Sequence, residues 1–104
     1  MVSPKVSQLQ LLQQNLQNLM QQKQQLQNQL IELDSALTEL KTTPQAYRIM
    51  GKVMIAAPVK ELSRDLMDKK EMAEVHLRNM EKQEEKLNSK IEQLQAEVMK
   101  ELKP

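Results

Sequence analysis

The sequence predicts a mainly α protein: a long antiparallel coiled-coil helical hairpin carrying one central β-hairpin. Three observations lead there. Proline falls only at Pro4, Pro44, Pro58 and Pro104, and glycine only at Gly51, so 5–43 and 59–103 contain neither helix breaker. Leucines recur in the first of these stretches at alternating steps of three and four. The segment between them holds the sole glycine, the sole tyrosine and an alternation of β-type residues. The expected organisation is a single domain over 1–104, with a helix over 5–43, a β-hairpin over 46–57 and a helix over 58–103.

The first helix rests on Leu9, Leu12, Leu16, Leu19, Leu26, Leu30, Leu33, Leu37 and Leu40. Only Lys23 breaks this heptad series, where an apolar residue is due between Leu19 and Leu26. The other faces are rich in uncharged Gln, which tolerates helix well. At ~1.5 Å per residue such a helix is about 58 Å long.

The last stretch is charged. One apolar series reads Val59, Leu66, Ala73, Met80, Leu87 and Leu94. The companion series, Ser63, Lys70, Leu77, Glu84, Ile91 and Val98, is half polar. Pro58 suits the first turn, where a missing N–H costs nothing. Two such helices joined by a short insert fold back on each other most simply as an antiparallel pair. If Leu40 faces Val59, then Leu33 lies near Leu66, Leu26 near Ala73, Leu19 near Met80, Leu12 near Leu87 and Leu9 near Ile91. That register sets Lys23 near His76 and Leu77, and Leu16 near Glu84, as two weak layers.

The insert AYRIMGKVMIAA alternates as strands do. A three-residue loop, Met50-Gly51-Lys52, would pair Ile49 with Val53, Tyr47 with Ile55 and Arg48 with Met54. Gly51 would supply the positive φ that such loops need. A lone two-stranded hairpin is marginal in water, and its open edges invite other strands. The expected oligomer interface is therefore Tyr47, Ile49, Met50, Gly51, Val53, Met54 and Ile55, completed by hairpins of other chains.

Composition excludes much else. The 104 residues carry 15 Lys+Arg against 14 Asp+Glu, no Cys, no Trp and no Phe. A globular enzyme core would use more aromatics and glycines. Without cysteine there is no disulfide, thiol nucleophile or Cys-based zinc site. Near-neutral charge gives no reason to expect nucleic acid. No apolar run is long enough for a transmembrane helix, and the N-terminus lacks a signal-peptide core, so a cytoplasmic protein is expected. His76 has no second ligand in view, Gly51 belongs to no phosphate-binding loop, and no acid–base or nucleophile constellation occurs. The expectation is no enzyme, no cofactor and no metal.

The Gln-rich heptad helix, the hairpin segment Tyr47, Arg48, Gly51, Val53 and Ile55, and the charged helix containing RNMEKQEEKL at 78–87 together resemble a beta-class prefoldin subunit of the archaeal type. The resemblance covers nearly the whole chain, and the hairpin is its most specific part. It implies a hexamer of two alpha-class and four beta-class subunits, whose hairpins form a double β-barrel platform from which coiled coils hang. It further implies an ATP-independent holdase that captures unfolded polypeptides at the coiled-coil tips and passes them to a group II chaperonin. Lys100 and Lys103 could contribute to that docking by the same analogy.

With the hairpin at one end, the termini lie at the other. Val2, Val6, Leu9, Leu11 and Leu12, with Val98, Met99 and Leu102 opposite, are the candidate client-binding residues. The register above leaves 99–104 overhanging, so frayed ends would offer an adaptable apolar surface. A structural coiled-coil spacer, forming an elongated homo-oligomer in which the insert is merely a bend, is the alternative.

Overall fold

In a computed structural model the chain is described over residues 3–102. The order is α1 (Pro4–Leu40), β1 (Ala46–Met50), β2 (Val53–Ala57) and α2 (Val59–Leu102). Ser3 caps α1: its hydroxyl oxygen accepts from the Val6 N–H at 3.2 Å, and Pro4 stands in the first turn, where its missing N–H is not needed. The helix stops at Leu40, short of the expected residue 43. There the Lys41 and Thr42 amides turn back to the carbonyls of Thr38 and Glu39, the Thr43 hydroxyl donates to the Glu39 carbonyl at 2.7 Å, and Pro44 follows. α2 starts beside Pro58, whose carbonyl accepts from the Leu62 N–H at 3.0 Å.

The strands pair antiparallel around a two-residue turn, not the expected three-residue loop. Met50 is opposite Val53, Ile49 opposite Met54, Arg48 opposite Ile55, Tyr47 opposite Ala56 and Ala46 opposite Ala57. Gly51 has φ +62 and is the one described residue with positive φ, so it occupies the first central position of a II′-type turn, with Lys52 at the second. This turn matches the twist of the flanking strands, which is why it is preferred over a longer loop. The change of register also changes the faces. Tyr47, Ile49, Met54 and Ala56 share one face, while Ala46, Arg48, Met50, Val53, Ile55 and Ala57 share the other.

The chain divides into two compact units, one spanning Leu26–His76 and one combining the stretches up to Gln25 and from Leu77. In the first, Leu26, Leu33, Ala46 and Ala73 are buried. Leu40 and Leu66 line one groove, and Leu37 lines another with Met67 and Lys70. In the second unit, Leu19, Met80 and Ile91 are buried. Leu19 shares a groove with Leu87, and Leu12 with Leu94.

In each unit the pairing therefore differs by one heptad from the expected one. Leu40 shares its groove with Leu62 and Leu66 and not with Val59, and Leu19 shares one with Leu87 and not with Met80. Lys23 meets neither His76 nor Leu77 but Glu84, with Nζ to Oε2 at 2.8 Å. The physical reason is visible in the seam. The two polar residues that the expected register buried against leucines are brought together in one layer.

Candidate assembly and binding surfaces

The hairpin is anchored at its base. Ala46 is buried, and the Arg48 guanidinium donates to the Asp65 carboxylate of α2 at 2.6 Å. A groove lined by Ala36, Leu40, Leu62 and Leu66 lies beside β1, whose Ala46, Tyr47 and Arg48 form its other wall. Beyond this base both faces are apolar and uncovered. Ile49 is 70% exposed and Met54 64% exposed on one face beside Tyr47. Met50, Val53 and Ile55 are exposed on the other. All seven residues expected at the oligomer interface are thus in the hairpin and exposed, but Tyr47 and Ile49 share a face with Met54, not with Val53 and Ile55.

At the terminal unit, Leu11, Met99 and Leu102 are exposed, Leu102 to 73%, while Val6, Leu9, Leu12 and Val98 are half-buried. Val2 lies outside the described residues, as does Lys103; Lys100 is exposed. Helical spacing sorts these side chains onto two flanks. Leu11 and Leu12 line a groove with Leu94, and Val6, Leu9, Val98 and Leu102 fall on the flank turned away from it.

Among the described residues, 99–102 do not overhang as expected; 103–104 lie outside them. Lys5 Nζ lies 3.2 Å from Glu101 Oε1 and 3.6 Å from Glu97 Oε2, so the start of α1 is level with the end of α2. Lys5 and Glu101 were not singled out as seam residues. The signal was available: Lys5 stands one heptad before Leu12, and Glu101 one heptad after Leu94. Hydrogen bonding to Glu101, with its charge and that of Glu97, raises the Lys5 pKa above its ordinary value. Glu84 raises that of Lys23 chiefly through the hydrogen bond, with Coulombic attraction adding to it. Asp34, 2.6 Å from Lys70 Nζ, does the same there, with Glu74 adding a smaller effect. The Lys23 and Glu84 side chains are each 21% exposed, less than any other ion pair here.

Among the described residues, no group of three or more His, Cys, Asp or Glu could hold a metal ion, and no helix is long and apolar enough to cross a membrane. Two long heptad helices bracketing an uncovered apolar β-hairpin define the class, a helix–hairpin–helix coiled-coil protein.

Comparison with known proteins narrows the class. The family pattern described as "Prefoldin subunit" matches residues 3–104. The prefoldin subunit beta of Thermococcus gammatolerans is 37% identical over 99% of this chain and 91% of its own length. That of Methanospirillum hungatei is 35% identical over 97% of this chain and 90% of its own. The crystal structure of the prefoldin beta subunit from Thermococcus strain KS-1 superposes with a TM-score of 0.88 at 33% identity, covering 100% of this chain and 97% of that one. The chain belongs to the prefoldin family. It is a chaperone subunit, and the reading as a structural spacer is not favoured.

Proposed function

We propose that this subunit joins alpha-class and further beta-class subunits through its hairpin, in a cytoplasmic holdase that needs no ATP. The assembly holds unfolded polypeptides at the ends of its coiled coils and passes them to a group II chaperonin. The observation that carries the reading is the hairpin: five residues per strand, anchored at its base, with apolar side chains left exposed on both faces beyond it. Such a sheet is marginal in water and is stabilised by strands from elsewhere. A tight two-residue turn makes Met50–Val53 a hydrogen-bonded pair, and alternation then turns the main-chain groups of Tyr47 and Ile49, and of Met54 and Ala56, outward along the open edges. These four residues also form the more exposed face, so an added strand would meet both donors and apolar side chains.

Client holding falls to Leu11, Met99 and Leu102, which are already exposed, with Val6, Leu9, Leu12 and Val98 beside them. Several such tips acting together raise avidity without sequence specificity. The test has two arms. Ile49→Asp with Met54→Asp, a cross-strand pair, should reduce the complex formed with an alpha-class partner to free subunits on sizing; an intact hexamer would overturn the role of the hairpin. Leu11→Ser, Met99→Ser and Leu102→Ser should leave that complex intact and weaken suppression of client aggregation. Unchanged suppression would overturn the role of the tips.

A further inference from the structure

The apolar layers of the seam barely distinguish the observed register from the one a heptad away. In the shifted pairing Leu12 meets Leu87, Leu19 meets Met80 and Leu9 approaches Ile91, all apolar contacts. The charged residues do distinguish the two. In the observed register Lys5 meets Glu101 at 3.2 Å and Lys23 meets Glu84 at 2.8 Å, with each lysine on α1 and each glutamate on α2. After the shift, Lys5 is level with Leu94, Lys23 with Leu77 and Glu84 with Leu16. A shift in the opposite direction sets Lys23 against Ile91 and Glu101 against Leu12. Either way, Lys23 and Glu84, each only 21% exposed, lose each other at seam positions, where an unpaired charge is strongly disfavoured; the more exposed Lys5–Glu101 contact adds a weaker preference in the same direction.

We propose that Lys5–Glu101 and Lys23–Glu84 act together as a two-point register key for the terminal unit. They exclude heptad-shifted pairings that the leucines alone would accept. By doing so they bring the ends of α1 and α2 level, which sets Val6 and Leu9 beside Val98 and Leu102. One polar layer at a seam position can specify register in a coiled coil. Two layers with the same polarity reject a slip in either direction. The key operates whatever the tip binds.

The chain has no cysteine, so introduced pairs report register directly. Leu19→Cys with Leu87→Cys samples the observed register, and Leu19→Cys with Met80→Cys samples the shifted one. The two targets on α2 are about 10 Å apart along the helix, beyond the ~7 Å reach of a disulfide. In the otherwise unaltered chain only the first pair should oxidise. Replacing Lys5, Lys23, Glu84 and Glu101 together by Leu should raise the shifted disulfide by about tenfold, the change that about 1.4 kcal/mol of lost register preference produces. Exchanging the charges (Lys5→Glu, Lys23→Glu, Glu84→Lys, Glu101→Lys) should restore the first pair alone. A shifted yield unchanged in the apolar chain, or substantial in the exchanged chain, overturns the proposal. If the apolar chain precipitates, Lys23→Glu decides: it must lower the native disulfide, and adding Glu84→Lys must recover it. Failure of either step overturns the key.

Discussion

Arg48 of β1 donates to the Asp65 carboxylate of α2 at 2.6 Å, tying the hairpin to a helix through side chains. Arg48 shares its face with Ala46, which is buried, and with Ala57, which is half-buried. The pair therefore turns the base of that face toward the helices and leaves Ile49 and Met54 facing outward, with Tyr47 half exposed at the edge of the groove. Both partners remain well exposed, so the contact orients the hairpin more than it stabilises the chain. Arg48→Met should leave helix content and melting nearly unchanged while speeding amide exchange across the hairpin ladder. Exchange at the parent rate would mean that Ala46 and the groove beside it hold the hairpin alone.

Gly51 is required for its backbone angle and not for space. A Cβ at this position would meet nothing within 4 Å, yet φ is +62. Gly51→Ala should cost about 1–2 kcal/mol, the usual penalty for an L-residue in the left-handed region. Lys52→Ala, at a turn position without positive φ, should be close to neutral. Thermal melting of the two chains side by side measures the difference. Equal melting temperatures would show that the turn relaxes to another geometry.

Three lysines give the coiled coil an alkaline limit. Lys5, Lys23 and Lys70 each have a pKa raised above the ordinary 10.5 by hydrogen bonds to Glu101, Glu84 and Asp34. A folded-state pKa above the unfolded one means that the folded chain holds its proton more tightly. That stabilisation is complete below pH 10.5 and is lost as pH rises through the raised values. Urea stability should thus be flat in these groups from neutral pH upward and fall above about pH 10.5. Lys23→Met should shallow the fall. A chain whose alkaline decline is the same with and without Lys23 would show that the Glu84 contact does not persist in solution.

Much of the fold was readable from residue order. Four prolines and one glycine marked the boundaries, and the leucine steps of three and four identified the helix type. The hairpin was readable because Tyr47, Ile49, Val53 and Ile55 are β-type residues around Gly51. Its pairing was not: Met50 serves equally as a loop residue or as the last strand residue, and both choices leave apolar side chains on both faces. Placing Met50 in the strand gives the tight II′-type turn, and that choice moves Val53 and Ile55 to the face opposite Tyr47 and Ile49. At the terminal unit, Leu11, Met99 and Leu102 were legible as off-seam or end residues; the heptad positions of Lys5 and Glu101 were legible too, but that they meet each other was not.

The heptads, the breakers and the single glycine by themselves determined that this chain forms two helices around a hairpin, because periodicity and backbone restriction are local. Register was decided only by tertiary structure. A heptad repeat matches itself at every shift of seven, so leucines alone cannot choose among the alternatives. The choice falls to the few residues that are costly to misplace, above all Lys23 on α1 and Glu84 on α2, with the more exposed Lys5 and Glu101 adding to it. Their partners are identified only when the two helices lie side by side.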